Sequence, residues 1–400
     1  MDALMLPLNW QKVRLGDIAE IIGGGTPSTQ ITSFWNGSIN WFTPTEIGIT
    51  KYVYKSQRTI TPLGLKKSSA KLLPIGTILL TSRASIGDCA ILKVVATTNQ
   101  GFQSLIPLEK INNEFLYYLM LTLKNKLLKL ASGSTFLEVS PNKIKNLLIP
   151  LPPLNEQIAI ANILSDVDHY LYSLDALILK KESVKKALSF ELLSQRKRLK
   201  GFNQAWKKVR LVDIAEIKRG ASPRPIENPK WFCANSNVGW VRISDISKNS
   251  RFLYKTAQKL SKKGIEKSRF IKQNSLIMSM CATIGKPIIT KIDTCIHDGF
   301  VVFENPKIDL NYLYYFLCCI EKEWLESGQQ GSQVNLNVDL IKNKEVFYPK
   351  DLNEQIAIAN ILSDLDSEII SLKNKKRQFE NIKKTLNHDL MSAKIRVLKK

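Results

Sequence analysis

The chain carries two copies of one long sequence block, and this internal repeat constrains its fold more than any other feature. The segment L-N-E-Q-I-A-I-A-N-I-L-S-D begins at Leu154 and again at Leu352, an offset of 198 residues. The segment V-R-L-x-D-I-A-E-I begins at Val13 and again at Val209, an offset of 196 residues. Solenoid repeats are only about 20–50 residues long. The repeat therefore predicts a duplicated globular unit whose halves are related by a pseudo-two-fold axis.

The two copies agree at their ends and differ between them. Short matching segments occur in the same order in both copies; for example, A-S-I-G at Ala84 corresponds to A-T-I-G at Ala282. By contrast, residues 26–80 barely resemble residues 222–278. A shared framework with divergent inserts is typical of one protein that presents two different recognition surfaces.

Each copy ends in a stretch whose apolar residues recur every three or four positions, which predicts a long helix with a heptad-like seam. We expect Asn155 and Asn353 to be the N-caps and Gly201 to close the first helix. From Asn155 to about Leu199 such a helix would span roughly 65 Å. Two seams on halves related by a two-fold axis are expected to form an antiparallel coiled coil; the alternative is that each helix lies only on its own domain. The predicted seam positions are Ile160, Ile163, Val167, Leu171, Leu174 and Ile178 in the first copy, and Ile358, Ile361, Leu365, Ile369 and Leu372 in the second.

The rest of each copy predicts a mixed α/β (α+β) domain. Glycine and proline separate short strand-like runs such as Gly76–Thr81, Cys89–Val95 and Lys286–Thr290, while residues 115–130 and 312–326 have helical patterns. The predicted organisation is a first mixed α/β domain at 1–152, a first long helix at 153–201, a second mixed α/β domain at 202–349 and a second long helix at 350–400.

The net charge indicates a polyanionic partner. Lysine and arginine number 58 against 35 aspartates and glutamates, which gives a formal charge of +23. Such an excess favours nucleic acid, or less often an anionic membrane surface. No stretch approaches 18 apolar residues, so no membrane-spanning helix and no membrane partner are predicted. The six cysteines form no C-x-x-C pair and the chain has only three histidines, which predicts no zinc site and reduced cysteines in a cytoplasmic protein.

Catalytic motifs are missing from the sequence. The glycine-rich run Gly23–Ser28 lacks the lysine of a phosphate-binding loop, which favours a simple turn. The adenine methyltransferase corner and the serine hydrolase elbow do not occur. The one acid–base pair, His297-Asp298, corresponds to Asn99-Gln100 in the first copy, which disfavours a catalytic role shared by both copies. Binding is therefore favoured over catalysis, and a nuclease site among scattered carboxylates stays open as an alternative.

The order of variable domain, L-N-E-Q-I-A helix, second variable domain and second helix resembles the specificity (S) subunit of type I restriction–modification enzymes over nearly the whole chain. The second copy departs from the first, because it lacks the Gly-Gly-Thr-Pro-Ser run and has His-Asp-Gly in place of Asn-Gln-Gly. The segments that carry the resemblance are Trp10–Glu20, Gly24–Ser28, Trp35–Gly37, Trp41, Ala84–Gly87, Asn99–Gly101, Pro152–Ile158 and Leu352–Ile356.

The resemblance implies that each variable domain is a target recognition domain that reads one half of a split, asymmetric sequence in double-stranded DNA. It also implies two methyltransferase (M) subunits that bind S-adenosylmethionine and methylate adenine N6, and two restriction (R) subunits that use ATP and Mg²⁺. The chain itself would be non-catalytic and would bind no cofactor or metal. Two rival hypotheses are a basic coiled-coil scaffold without sequence specificity, and a standalone nuclease or methyltransferase with an unrecognised site.

Candidate DNA-contacting residues are polar side chains in the predicted loops, because arginine pairs with guanine edges and asparagine or glutamine with adenine edges. Each of them is about as compatible with a solvated or structural role. The candidates are Thr26, Ser28, Arg83, Asn99, Gln100, Ser132 and Ser134 in the first copy, and Ser222, Arg224, Arg242, His297, Ser332 and Gln333 in the second.

Overall fold

Two compact units make up the chain. Unit 1 consists of residues 1–175 together with 374–400, and unit 2 consists of residues 176–373. Two long helices supply residues to both units. The residues that the computed structural model describes are 7–133, 137–249, 251–327 and 336–397.

Among its described residues, unit 1 has ten strands in three sheets. The strands are β1 Gln11–Arg14, β2 Ala19–Gly23, β3 Trp35–Phe42, β4 Tyr52–Val53, β5 Arg58–Ile60, β6 Ile78–Leu80, β7 Cys89–Leu92, β8 Ala96–Thr98, β9 Gln103–Pro107 and β10 Leu148–Leu151. The strand orders are β1-β10, β2-β9-β6-β7-β4 and β5-β3-β8. The pairs β3–β8 and β4–β7 are parallel and the others antiparallel.

The same part of the chain forms three short helices and begins one long helix. The side chain of Asn112 accepts a hydrogen bond from the backbone N–H of Phe115 and caps the second helix, as expected for an asparagine at this position. The helices are α1 Pro62–Lys66, α2 Asn113–Leu130, α3 Pro141–Lys145 and α4 Leu154–Leu193, and short 3₁₀ helices cover Leu15–Asp17, Thr32–Phe34 and Pro44–Glu46.

The five-stranded sheet of unit 1 is buried on both faces. Ile78 and Leu80 of β6 belong to a core that includes α2 and the start of α4. Leu79, between them, belongs to a second core that contains Phe42 and Phe102. Because successive side chains of a strand point to opposite faces, a strand covered on both sides is apolar throughout.

Unit 2 repeats this architecture. The strands of its described residues are β11 Trp206–Arg210, β12 Glu216–Arg219, β13 Gly239–Val241, β14 Phe252–Leu253, β15 Gln258–Lys259, β16 Arg269–Ile271, β17 Leu276–Ser279, β18 Pro287–Thr290, β19 Thr294–Ile296, β20 Phe300–Glu304 and β21 Glu345–Pro349. The strand orders are β11-β21, β12-β20-β17-β18-β14 and β15-β13-β19-β16. The helices are α5 Leu211–Ile214, α6 Ile243–Ser247, α7 Lys262–Glu266, α8 Leu310–Cys319, α9 Glu321–Ser327, α10 Val338–Lys342 and α11 Leu352–Met391, with a 3₁₀ helix at Pro229–Trp231.

The sheets of unit 2 follow the same physical logic as those of unit 1. In β17, Leu276 and Met278 face a core that contains α8 and the start of α11, while Ile277 faces a second core. The added strand β16 corresponds to a single antiparallel bridge, between Leu73 and Ala96, in unit 1. The predicted pattern of two similar α/β domains is therefore confirmed.

The long helices begin one residue earlier than the caps expected from the sequence. Because α4 begins at Leu154, Asn155 lies inside its first turn and is not the N-cap. The Pro153 carbonyl already accepts hydrogen bonds from the helix. In α11, the Asp351 carboxylate accepts from the backbone N–H of Asn353 at 2.9 Å. Asp351 therefore takes the role expected of Asn353.

The first long helix also ends earlier than expected, at Leu193 instead of about Leu199. Gln195 has a φ of +60° and so leaves the helical conformation. A left-handed residue at this place terminates the hydrogen-bond ladder. Gly201, with a φ of +96°, lies in a turn beyond the helix instead of closing it.

The two long helices run antiparallel within unit 1. Asp168 of α4 forms an ion pair with Lys383 of α11, and Asp175 of α4 pairs with Lys376 at 2.6 Å. An advance of seven residues along α4 is thus matched by a retreat of seven along α11.

The same pairing occurs within unit 2. Lys181 of α4 pairs with Glu368 of α11 at 2.9 Å, and Lys185 pairs with Asp366. The order is again opposite along the two helices. This pairing in both units confirms the predicted antiparallel helices over the alternative of two helices that each lie on one domain.

Candidate nucleic-acid interface

Two loops lie side by side at one sheet edge of unit 1. Residues 24–28 follow β2, and residues 99–101 connect β8 to β9. The backbone N–H of Gly25 donates to the carbonyl of Thr98 at 2.8 Å. The hydroxyl of Thr26 donates to the side-chain carbonyl of Gln100. We call these two segments the loop pair of unit 1.

Unit 2 has an equivalent loop pair, formed by residues 220–224 and 297–299. The hydroxyl of Ser222 donates to the Asp298 carboxylate at 2.8 Å, as Thr26 does to Gln100. In addition, Nη2 of Arg224 donates to the other oxygen of Asp298 at 3.0 Å.

Both loop pairs depend on glycine for a close backbone approach. A Cβ atom at Gly24 would lie 2.0 Å from the carbonyl oxygen of Asn99, and one at Gly220 would lie 2.0 Å from that of His297. Gly24 of the Gly23–Ser28 run is therefore needed because it lets the two loops approach closely. No helix follows this run directly, as a phosphate-binding loop would require.

Asn99 and His297 perform one structural task in the two units. The Oδ1 atom of Asn99 accepts from the backbone N–H of Gly101 at 2.8 Å. The Nδ1 atom of His297 accepts from the backbone N–H of Gly299 at 2.9 Å. This bond requires Nδ1 to be unprotonated, so neutral His297 carries its proton on Nε2.

The surroundings of His297 keep it neutral. Its ring packs against Trp240 and Phe300, with centroids 5.9 and 4.6 Å away. Its pKa is lowered to about 4, mainly by burial; the Asp298 carboxylate opposes this shift and the charge of Arg242 contributes to it. His297 is thus a turn-forming residue, and its geometry gives no support to acid–base chemistry with Asp298.

A third segment of unit 1 joins its loop pair. The backbone N–H of Ser82 donates to the Gly101 carbonyl at 2.8 Å. Arg83 forms an ion pair with Glu138 at 2.8 Å, and the backbone groups of Ser132 and Glu138 exchange two hydrogen bonds. The structure therefore brings Arg83 and Ser132 to the same edge as Thr26, Asn99 and Gln100.

The remaining predicted contacts have less to connect them. Ser28 is exposed, and its carbonyl accepts from the indole N–H of Trp35 at 3.0 Å. Arg242 is exposed and donates to the side chain of Gln258 at 3.0 Å. The predicted contacts Ser134, Ser332 and Gln333 lie outside the described residues.

The predicted seam residues are buried to different degrees. Leu164 and Leu362 are fully buried although they were not predicted seam positions, because each packs into the core of its own unit. Near its start, each long helix therefore buries a face wider than a coiled-coil seam. Ile160, Leu174, Ile178, Ile358 and Ile369 are buried, and Ile163, Val167, Leu171, Ile361, Leu365 and Leu372 are half-buried.

The buried glutamate of the repeated L-N-E-Q motif forms an ion pair that sequence reasoning missed. In unit 1, the Glu156 carboxylate accepts from the indole N–H of Trp10 at 3.1 Å and from Nε of Arg396 at 2.8 Å. The Glu156 side chain is 2% exposed and that of Arg396 is 31% exposed. We call this set the glutamate clasp of unit 1. Arg396 follows the end of α11, so the clasp ties the start of one long helix to the end of the other.

Unit 2 has the equivalent clasp. Glu354 accepts from the indole N–H of Trp206 at 3.3 Å and from Arg198 at 3.1 Å through both Nε and Nη2. The Glu354 side chain is fully buried. The recurrence of N-E-Q in both copies was the available sequence signal for this shared contact.

The glutamine of the same motif fastens each long helix to its domain. The Gln157 side chain donates to the carbonyl of Pro152 at 2.9 Å and accepts from the N–H of Asn112 at 2.8 Å, just before α2. The Gln355 side chain does the same with Pro349 and Asp309, just before α8.

A third shared cluster lies about three helical turns further along each long helix. Asp168 accepts from the hydroxyl of Tyr118, and Lys51 donates to that hydroxyl at 2.9 Å. In unit 2, Asp366 accepts from Tyr315 at 2.8 Å. Burial is the largest cause that raises the pKa of Tyr118 and of Tyr315, so both hydroxyls stay protonated and can donate.

Metal and membrane features are not found in the described part of the chain. Within it, no group of three or more His, Cys, Asp or Glu side chains is arranged to hold a metal ion. No described helix is long and apolar enough to cross a bilayer.

Comparison with known proteins agrees with this geometry. Residues 7–181 and 203–381 each match the family described as type I restriction modification DNA specificity domain. The MjaIX specificity subunit of a type I restriction enzyme from Methanocaldococcus jannaschii is 29% identical, over 99% of this chain and 96% of that protein.

Solved structures show the same fold. The S subunit of the type I system from M. genitalium aligns with a TM-score of 0.58 and 18% identity, over 97% of each chain. A chain from a type I R-M system complex aligns with a TM-score of 0.64 and 17% identity, over 96% of this chain and 98% of the other. The chain therefore belongs to the family of type I restriction–modification DNA specificity subunits, carries the family domain twice, and is a non-catalytic component of such an enzyme.

Proposed function

We propose that the two units of this chain read the two halves of one split target in double-stranded DNA. The observation that carries the proposal is the contrast between a shared framework and different loop residues. Each unit places a threonine or serine hydroxyl on the side chain opposite, but that side chain is Gln100 in unit 1 and Asp298 in unit 2. Two readers with one framework and different side chains suit a target whose halves differ.

The charge of the chain supports DNA as the ligand. Its formal charge of +23 attracts phosphates along the duplex, and such contacts supply affinity without sequence information. Sequence must then be read by side chains that meet base edges in the grooves. Polar residues of the loop pairs have the required chemistry: Ser28, Gln100 and Arg224 are exposed, and Thr26 and Ser222 are half-buried.

Partner subunits would supply the chemistry. In this proposal two methyltransferase subunits bind S-adenosylmethionine and methylate adenine N6, and two restriction subunits use ATP and Mg²⁺, in the cytoplasm. The relatives that share this family are named as specificity subunits of type I restriction enzymes, which supports such an assembly. The paired helices α4 and α11 are the candidate element that fixes the distance between the two half-sites.

Mapping of methylated adenines tests the proposal. The chain is expressed with its cognate methyltransferase subunit in a host that lacks adenine methylation, and modified bases are located across the genome. We expect all modified adenines to lie in one motif with two specified blocks and a constant gap. The methyltransferase subunit expressed alone is the control and should leave the genome unmodified. Methylation without a consensus would contradict the proposal, as would a single uninterrupted block.

A salt titration separates specific reading from general attraction to polyanions. The assembled complex should bind the mapped duplex about 10³-fold or more tightly than a scrambled duplex at physiological salt. A ratio near one at every salt concentration would favour the rival scaffold without sequence preference.

A further inference from the structure

Each loop pair contains an equivalent side-chain hydrogen bond, but the two loop pairs differ in charge. In unit 1 the bond joins Thr26 to Gln100, two neutral side chains. In unit 2 it joins Ser222 to Asp298, which is a carboxylate. The residue two positions after the hydroxyl is Ser28 in unit 1, whereas in unit 2 it is the arginine that pairs with Asp298. The second loop pair therefore replaces a neutral set with an ion pair.

Asp298 is held in place from several sides. One carboxylate oxygen accepts from Ser222 at 2.8 Å, and its backbone carbonyl accepts from Nε of Arg219 at 2.8 Å. Burial pushes the pKa of Asp298 upward, but the hydrogen bond from Ser222 and the charge of Arg224 contribute to a net lowering. The side chain is therefore an ionised, positioned acceptor.

Arg224 is the exposed member of the ion pair. Its side chain is 71% exposed, and Nη2 lies 3.0 Å from Asp298. A guanidinium has further N–H groups on Nε and Nη1, which this contact does not use. Because the partner already restricts the long side chain, less rotamer freedom is lost when the arginine binds a ligand.

The ion pair is better suited to a base edge than to a phosphate. The charges of Arg224 and Asp298 cancel, so the pair has little net attraction for a phosphate, and the carboxylate would repel one. A guanidinium held by a carboxylate can still donate two parallel hydrogen bonds to O6 and N7 of guanine. The carboxylate can in turn accept from the N4 amine of cytosine.

We propose, building on the function proposed above, that the loop pair is the base-reading element of each unit and that Arg224 of unit 2 reads a guanine. Asp298 is the positioning residue that orients the guanidinium. Gln100 holds the corresponding place in unit 1, where its amide matches N6 and N7 of adenine. The two half-sites then differ in part because one loop pair carries an ion pair and the other an amide.

Methylation mapping and duplex binding with the assembled chain and methyltransferase subunits test this inference. The variants are Arg224→Ala, Arg224→Lys and Asp298→Asn. The matched control is Arg210→Ala, an exposed arginine of the same unit that pairs with Asp213 away from the loop pair. Circular dichroism of each variant checks that the fold is retained.

We expect Arg224→Ala to reduce discrimination for guanine at one position of one half-site by about 5- to 150-fold, with the other half-site unchanged. Arg224→Lys should lose the same preference because a lysine cannot form the paired donor geometry. Asp298→Asn should weaken the preference by a smaller factor. Arg210→Ala should leave both half-sites unchanged.

Two results would overturn the inference. One is an unchanged split motif in Arg224→Ala; the other is a uniform loss of affinity across all sequences with a reduced salt dependence, the behaviour of a phosphate contact. In both cases the wild-type chain still has a split motif, so the proposed function would stand. If the wild-type chain itself has no split motif, the proposed function fails first.

Discussion

The two units are alike where they hold the long helices and unlike where their loops meet solvent. The glutamate clasps use the same three residue types, with Trp10, Glu156 and Arg396 in unit 1. The loop pairs keep one hydrogen bond but exchange Gln100 for Asp298. Buried polar groups tolerate little change because an unsatisfied partner is costly, whereas exposed side chains can vary freely. The two copies have thus kept the buried framework, while the side chains of their exposed loops differ.

Even where the framework varies, its charges persist. Lys51 donates to Tyr118 in unit 1, and Arg251 donates to Tyr315 at 3.1 Å in unit 2. Both units thus place a positively charged side chain beside the tyrosine, but it is a lysine in unit 1 and an arginine in unit 2. In the loop pair of unit 2, by contrast, a new positive and a new negative charge are introduced together.

Removing the clasp carboxylates should produce the largest effect. Glu156→Ala and Glu354→Ala are each expected to lower the free energy of unfolding by about 3 kcal/mol, because the indole N–H and the arginine lose a buried partner. Urea denaturation followed by circular dichroism measures the loss. Glu20→Ala, at an exposed position, is the control and should change stability by less than about 0.5 kcal/mol. A loss confined to one of the two clasp variants would break the equivalence of the units.

Acid should destabilise the protein through His297, which unit 1 replaces with Asn99. The pKa of His297 falls from an ordinary 6.5 to about 4 in the folded chain, mainly because the ring is buried. The unfolded chain therefore binds more protons between these values. Stability should be full above about pH 6.5 and fall by about 2–3 kcal/mol as the pH drops toward 4.

The variant His297→Asn tests this origin, because it keeps an acceptor for the turn and removes the titration. Denaturation at several values between pH 4 and 7.5 should show a shallower pH dependence for His297→Asn than for the wild type. The control is His169→Asn, at an exposed histidine, whose curve should follow the wild type. Parallel curves for all three proteins would exclude His297 as the source. Asp298 and Arg242, the charged groups that act on His297, are unchanged in these variants.

The smallest expected change in stability concerns one backbone position at which the two loop pairs differ. A Cβ atom at Gly25 would lie 2.3 Å from the backbone nitrogen of Ala70, whereas unit 2 already has Ala221 at the equivalent place. We expect Gly25→Ala to cost about 1–3 kcal/mol through overpacking. The reciprocal change Ala221→Gly should cost only about 0.5–1 kcal/mol. Thermal unfolding measures both, and equal losses would show that the two backbones pack alike.

The repeat predicted most of the architecture because duplication leaves its mark directly in the sequence. Two α/β units and two antiparallel helices follow from the matching segments at Leu154 and Leu352 and from the apolar spacing. The ends of the helices were less predictable. Gln195 terminates α4 through its left-handed backbone conformation. A glutamine at that position does not predict such a conformation from the sequence.

The candidate site was harder to predict because its contacts join distant parts of the chain. Thr26 and Gln100 are 74 residues apart, as are Arg224 and Asp298, and nothing in either local pattern indicates the pairing. Glu156 was visible as part of a repeated motif, but its role depends on Arg396, 240 residues away. Residue types indicated polar loops; only the fold shows which side chains meet.

The way α11 completes unit 1 has a consequence for biosynthesis. Unit 2 is one uninterrupted stretch, so its core can close once residue 373 has emerged from the ribosome. Unit 1 needs Leu390 and Met391 in its core and Arg396 on Glu156. The domain translated first is therefore the last to be finished, and until then its exposed apolar face must be kept from aggregating.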